Sequence, residues 1–222
     1  MPIPAIQLRM RSAFPAPTDA MVVRAVREGI LLSDDLIRNT PLLSTLIGQD
    51  YRGLIRRAGV MFSFHEACNR GDLPFKTTIR QMHRGHWHLL DIASGKERAQ
   101  ICRTEEPDAF PEDTPVKQDE RLANQFDLFE SLPPIEELLL RIPRLYVWLT
   151  FGVDRDGNLT HVCWAAPAKE EKQWIAYQNI LRRADESGAP LAPPPAPDPT
   201  RRLRFKEQIE EAIEKKDDKS FA

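Results

Sequence analysis

The sequence predicts an α+β fold: a helical N-terminal half, an antiparallel sheet built from two β-hairpins with helices on one face, and a C-terminal helical arm. Three observations predict it. Apolar residues between positions 50 and 71 recur every three or four places, the period of an amphipathic helix. Two pairs of segments, around 86–103 and 145–166, alternate in polarity and are each split by a glycine-bearing turn. A proline-rich run then sets the last charged segment apart from everything before it.

Near the start, "AIQLRMR" sets Ile6, Leu8 and Met10 against Gln7, Arg9 and Arg11, the period of a half-buried strand. Thr18 or Asp19 can cap a helix through Met21, Val22, Ala25 and Val26, which Gly29 ends or loosens. Ser33 caps the short segment that follows. Pro41 opens "PLLSTLIG" at the first helical position, with Gly48 just past its end. Asp50 caps the main helix, whose stripe is Leu54, Ile55, Ala58, Met61, Phe62, His65 and Cys68, and Gly71 stops it.

In the first hairpin His86, His88, Leu90 and Ile92 share one strand face, and Trp87, Leu89 and Asp91 the other. "SGKE" is the turn, and "RAQICR" returns with Ala99 and Ile101 opposite Gln100 and Cys102. The second hairpin joins "LYVWLTFGV" to "LTHVCWAA" through "DRDGN", where Asp156-Gly157 is a strong turn signal. Between the hairpins the spacing of Leu122, Phe126 and Phe129 predicts a helix over 117–130, and Pro134 and Pro143 bracket a second short one. After Pro167 comes a helix with a stripe of Trp174, Tyr177 or Gln178, and Leu181, ended by Gly188. Its acids fall in the first turn and Arg182 and Arg183 in the last, which suits the helix dipole.

The domain therefore runs over residues 1–187. Pro190, Pro193, Pro194, Pro195, Pro197 and Pro199 make 188–199 a stiff linker. Residues 200–222 form a charged amphipathic helix and tail with a narrow stripe of Phe205, Ile209 and Ile213. So thin a stripe suits a protein partner or self-association better than a core.

Composition narrows the class. A chain of 222 residues holds one substantial domain and an appendage. No apolar run approaches the roughly 20 residues of a membrane-spanning helix, and the start has no continuous apolar segment of a secretory signal. Cys68, Cys102 and Cys163 are odd in number and lack framework spacing, so a reducing cytoplasm is expected. The net charge of −2 is unevenly spread: residues 1–104 carry 15 Lys/Arg against 9 Asp/Glu, and residues 105–142 carry 3 against 11.

No G-x-S-x-G, Gly-rich phosphate loop, C-x-x-C or H-E-x-x-H occurs. The residue types for a metal are nevertheless present. His86 and His88 lie two apart on one strand face, His161 and Cys163 do the same on another, and zinc takes imidazole and thiolate. Convergence of these four would support a metal-dependent hydrolase or nuclease. A Mg²⁺ nuclease could take Asp91 as its first carboxylate, but the next strand offers no acid or lysine.

For nucleic acid, Arg52, Arg56 and Arg57 fall on the exposed side of the long helix, and Arg84, Lys96 and Arg98 lie in or beside the first hairpin. Helices followed by a basic hairpin resemble the layout of a winged helix, with Lys96 near the wing tip. The leading expectation is a cytoplasmic, non-catalytic binding or regulatory module acting through a protein partner or nucleic acid. The metal-dependent hydrolase is the alternative, and the sequence names no cofactor.

Overall fold

Ile6, Met10 and Phe14 are spaced by four, an even number that suits a strand face as well as a helix face. Leu8 separates the two. In a strand it would be buried beside Ile6 and Met10, yet it is 69 % exposed while those two are buried. The computed structural model, which describes residues 3–81, 88–112, 114–124, 144–154, 156–168 and 172–182, shows helix α1 (Ile3–Ala13) in place of the expected first strand.

Helix α2 (Asp19–Asn39) runs unbroken through Gly29 and Ser33, both expected to mark a boundary. After the short α3 (Pro41–Ser44) comes α4 (Leu46–Asn69), packed along α2. The two long helices cross backbone to backbone. A Cβ at Gly29 would lie 2.5 Å from the Cα of Val60, and one at Gly59 would lie 2.6 Å from the Gly29 carbonyl oxygen. The buried Ser33 hydroxyl stands 2.7 Å from the Gly29 carbonyl and 3.1 Å from that of Ile55. Gly29 is therefore a contact residue, and the helix continues.

Thr45, not Asp50, caps α4: its Oγ1 accepts from the Gly48 amide at 3.1 Å. Because Gly59 faces α2, the residues buried deepest are Val60, Ser63, Phe64 and Ala67; of the expected stripe Phe62 is buried, whereas Leu54 is exposed and Ile55, Ala58, Met61, His65 and Cys68 are only partly buried. Gly71, at φ +80°, ends the helix as expected.

Six strands follow: β1 (Lys76–Gln81), β2 (His88–Ser94), β3 (Glu97–Arg103), β4 (Tyr146–Val153), β5 (Leu159–Pro167) and β6 (Trp174–Asn179). They form one sheet in sequence order. The fold class is mixed α+β with a helical N-terminal half, and the sheet is mostly but not wholly antiparallel. β3 and β4 are parallel, with Ala99 opposite Val147 and Ile101 opposite Leu149. Parallel neighbours need a crossover of about a dozen residues or more, which 104–145 supply. The β2–β3 pair, flanked by β1 and β4, is no free two-stranded wing.

The loop between β2 and β3 is only Gly95-Lys96, with Gly95 at φ +59° and Ser94 paired to Glu97. β6 replaces the first part of the expected helix after Pro167. Its "WIAYQN" pairs with β5, Trp164 opposite Gln178 and Ala166 opposite Ala176, and residues 180–182, the last described, turn helical.

One sheet face presents Leu90, Ile92, Ala99, Ile101, Val147, Leu149, Phe151, Val162 and Trp164 to α1, α2 and α4. Phe14 stacks on Trp164 with centroids 4.2 Å apart. The opposite face carries Gln100, Cys102, Tyr146, Trp148, Thr150, His161 and Cys163, all buried. It is covered by residues 104–124, including α5 (Pro115–Arg121). Phe110 packs edge-on against Trp148 at 5.0 Å. The Asn124 amide donates to the carbonyls of Tyr146 and Pro167 and accepts from the Tyr146 amide, pinning this cover to the sheet. The helices are thus concentrated on one face, with a smaller cover on the other. Most of the expected 117–130 helix beyond Asn124, the Pro134–Pro143 helix, the linker and the C-terminal arm lie outside the described residues.

Candidate functional site

Strand alternation brings Arg80 of β1, Asp91 of β2, Arg98 of β3 and Tyr146 of β4 to the second sheet face. Arg144 precedes β4, and α5 adds Asp119 and Glu120. These seven side chains line a cleft of about 400 Å³. Its floor is fixed from the other side of the sheet's end. Arg9 of α1 reaches Glu97 through two hydrogen bonds, Nε to Oε1 at 2.9 Å and Nη2 to Oε2 at 3.1 Å. The same buried carboxylate accepts from the Leu145 amide, which locks the start of β3 to the start of β4.

Glu120 is the hub of the cleft wall. It accepts from Arg80 Nη2 at one oxygen and from the Tyr146 hydroxyl at the other. Burial raises its carboxyl pKa above the ordinary value, and the Tyr146 and Arg80 contacts pull the other way. Burial, with the Glu120 charge behind it, pushes the Tyr146 hydroxyl well up, so it stays protonated and donates. Arg98 is held more loosely, with Nε 3.7 Å from Asp91 Oδ2 and Nη1 donating to the carbonyls of Gly95 and Glu97. Arg144 and Asp119 are exposed and have no partner among the described residues.

Of the expected metal ligands, the described ones, His88, His161 and Cys163, are not brought together. His161 and Cys163 share a face of β5, but each already has a neighbour on the protein. His161 Nε2 lies 2.8 Å from Thr104 Oγ1 and Nδ1 lies 3.0 Å from Thr160 Oγ1. Burial lowers the imidazole pKa to about 4. Cys163 Sγ sits 2.9 Å from the Tyr177 hydroxyl, and burial pushes the thiols of Cys163 and Cys102 up, away from the reactive thiolate. His88 is on β2, three strands away, or roughly 14 Å at the usual strand spacing, too far to share one ion with β5. His86 lies outside the described residues, among which no group of three or more His, Cys, Asp or Glu could hold a metal ion.

The residues expected to meet nucleic acid also divide. Arg56 Nε donates to Asp34 Oδ1 at 2.8 Å, Arg57 is half-buried, and Arg52 has its Nε buried. All three belong to α4, on the helix-covered side of the sheet, whereas Arg98 opens into the cleft on the other. Lys96 is exposed at the β2–β3 turn, and Arg84 lies outside the described residues. Sequence reasoning missed Asp119, Glu120, Arg144 and Tyr146. Alternation in "RLYVW" does put Arg144 and Tyr146 on one face, but only the parallel β3–β4 seam carries them to Arg98.

A second surface lies on α3 and α4. Leu42, Leu46, Ile47 and Tyr51 are 68 %, 82 %, 71 % and 53 % exposed, and Leu54 is exposed as well. Ile47, Tyr51 and Leu54 are spaced i, i+4, i+7, so they form one stripe along the helix. Most isolated exposed apolar residues need no explanation; a run of five large ones does.

No protein-family model matches the chain, and neither the curated proteins nor the solved structures give a significant match.

Proposed function

We propose that the chain is a non-catalytic binding module that acts through a protein partner, and that the partner docks an amphipathic helix on the α3–α4 stripe. The observation that carries this is the exposure of Leu42, Leu46, Ile47, Tyr51 and Leu54 on one short stretch of chain. Anchors at i, i+4 and i+7 are what a helix-on-helix contact uses. A tyrosine among aliphatic side chains supplies contact area at low entropic cost, as interface centres do. A protein partner is favoured over nucleic acid because several arginines of the first half already hold carboxylates: Arg9 with Glu97, Arg11 with Asp19, Arg56 with Asp34 and Arg80 with Glu120. A paired guanidinium offers a phosphate much less than a free one.

The test is photocrosslinking from position 46 in producing cells, with position 96 as an exposed control. The expected result is a discrete adduct from position 46 alone, identified by mass spectrometry as one other protein. That protein, once purified, should bind the wild-type chain and lose at least about tenfold in affinity, or about 1.4 kcal/mol, to the Ile47→Lys/Tyr51→Lys variant. The melting temperature should barely move, since both side chains are exposed. An adduct with a second copy or with the chain's own 200–222 segment would overturn the reading, as would equal adducts from both positions.

A further inference from the structure

The cleft on the other side of the molecule has an uneven use of its charges. Among its three guanidiniums, Arg80 is tied to Glu120, Arg98 leans on Asp91 at 3.7 Å, and Arg144 has no partner among the described residues. Among its three carboxylates, Glu120 accepts two hydrogen bonds, Asp91 is loosely engaged, and Asp119 has no partner there either. The lining is therefore formally neutral, with one open cation and one open anion. A simple anion would gain from Arg144 and Arg98 and lose to Asp119 and Asp91. A ligand of both signs would gain from all four.

A second feature of the same face lies beside the cleft, outside the seven residues that line it. Gln100 is two residues along β3 from Arg98 and on the same side of the strand. It is only 2 % exposed, and its Nε2 has no hydrogen-bond partner among the described residues. Buried amide donors are seldom left unpaired, and when they are, a missing water or ligand is a common reason. The cleft's volume of about 400 Å³ falls within the range of small-molecule sites.

We propose that this cleft binds a small zwitterion, its carboxylate against Arg144 and Arg98 and its ammonium against Asp119 and Asp91. Planar guanidiniums suit a carboxylate because they can donate two parallel hydrogen bonds. Glu120 is a positioning residue: it engages both Arg80 and Tyr146 and so holds the wall against which the ligand lies.

Calorimetric titration of the full chain tests this with glycine, 4-aminobutyrate and 6-aminohexanoate as zwitterions of increasing span. Hexanoate and hexylammonium serve as single-charge controls. At least one zwitterion should bind saturably, with both controls at least about tenfold weaker. Arg144→Gln and Asp119→Asn should each weaken that binding about tenfold without changing the melting temperature of the free protein, because neither side chain supports the fold. Hexanoate binding as tightly as 6-aminohexanoate would overturn the proposal in favour of a plain anion site. The absence of saturable heat for all three zwitterions at millimolar concentration would overturn it outright.

Discussion

His161 is fully buried on the second sheet face, its ring between two threonine hydroxyls and over Gly152, where a Cβ would come within 2.1 Å of Cε1. Only glycine at 152 leaves room for that ring. Burial holds the imidazole neutral down to a pKa of about 4, against an ordinary value of 6.5. The unfolded chain thus takes up a proton as pH falls through 6.5, while the folded chain resists until about 4. In that window the unfolded state binds more protons, so stability declines as pH drops, and above 6.5 this residue adds no pH dependence. The full effect is on the order of 3 kcal/mol at about 1.4 kcal/mol per pH unit. Urea unfolding at pH 7 and pH 5 should show the wild type losing more stability than His161→Gln. Parallel losses in the two proteins would assign the effect to other groups. The sequence marked His161 and Cys163 by their shared strand face, and the face is as read; what it could not show is that Thr104 and Tyr177, 57 and 14 residues away, come to lie against them.

At the scale of the elements, spacing was legible where only one period fits and misleading where two do. Ile6, Met10 and Phe14 fit both a helix and a strand, and Trp174 with Tyr177 suggested a helix although "WIAYQN" also alternates. Each was settled by tertiary contact: α1 packs on the sheet beside β6, and β6 completes its pairing with β5. The asparagine-capped cover over Trp148 was invisible in the same way, because its bonds span 22 and 43 residues. Gly29 read as a breaker because isolated glycine weakens a helix, yet here it and Gly59 let two helices touch. Propensity alone makes Gly59→Ala stabilising by about 1 kcal/mol. The crossing makes it destabilising, because the new methyl would lie 1.9 Å from Ser33 Oγ and 2.6 Å from a backbone oxygen. Overpacking of this kind costs roughly 1–3 kcal/mol or more, so the contact outweighs the propensity. A urea midpoint for Gly59→Ala above that of the wild type would mean α2 and α4 do not approach so closely.

For the whole molecule, the decisive feature is the parallel β3–β4 seam. It fuses a three-stranded meander, β1–β3, to another, β4–β6, and gives the sheet two buried faces of different character. The helix side is aliphatic and aromatic; the other is half polar and ends in the charged cleft. Alternation marked the strand faces, but nothing local in a sequence records which strands become neighbours across a crossover of some forty residues, and the cleft depends on that. The sequence places the end of the folded unit at about residue 187. The main core takes in residues from Ile6 of α1 to Leu181 just after β6, and Ile180 and Leu181 are both buried in it. Residues 189–222 lie outside the described residues. Six prolines between 190 and 199 favour an extended spacer of about 3.1 Å per residue, and a lone charged helix beyond it would draw most of its stability from whatever it docks on. A chain ending at residue 188 should therefore keep a cooperative thermal transition within a few degrees of the full-length protein, with its near-ultraviolet circular dichroism unchanged. Loss of that transition would place the stripe of Phe205, Ile209 and Ile213 against the body as part of its core, and the boundary at 187 would have to move.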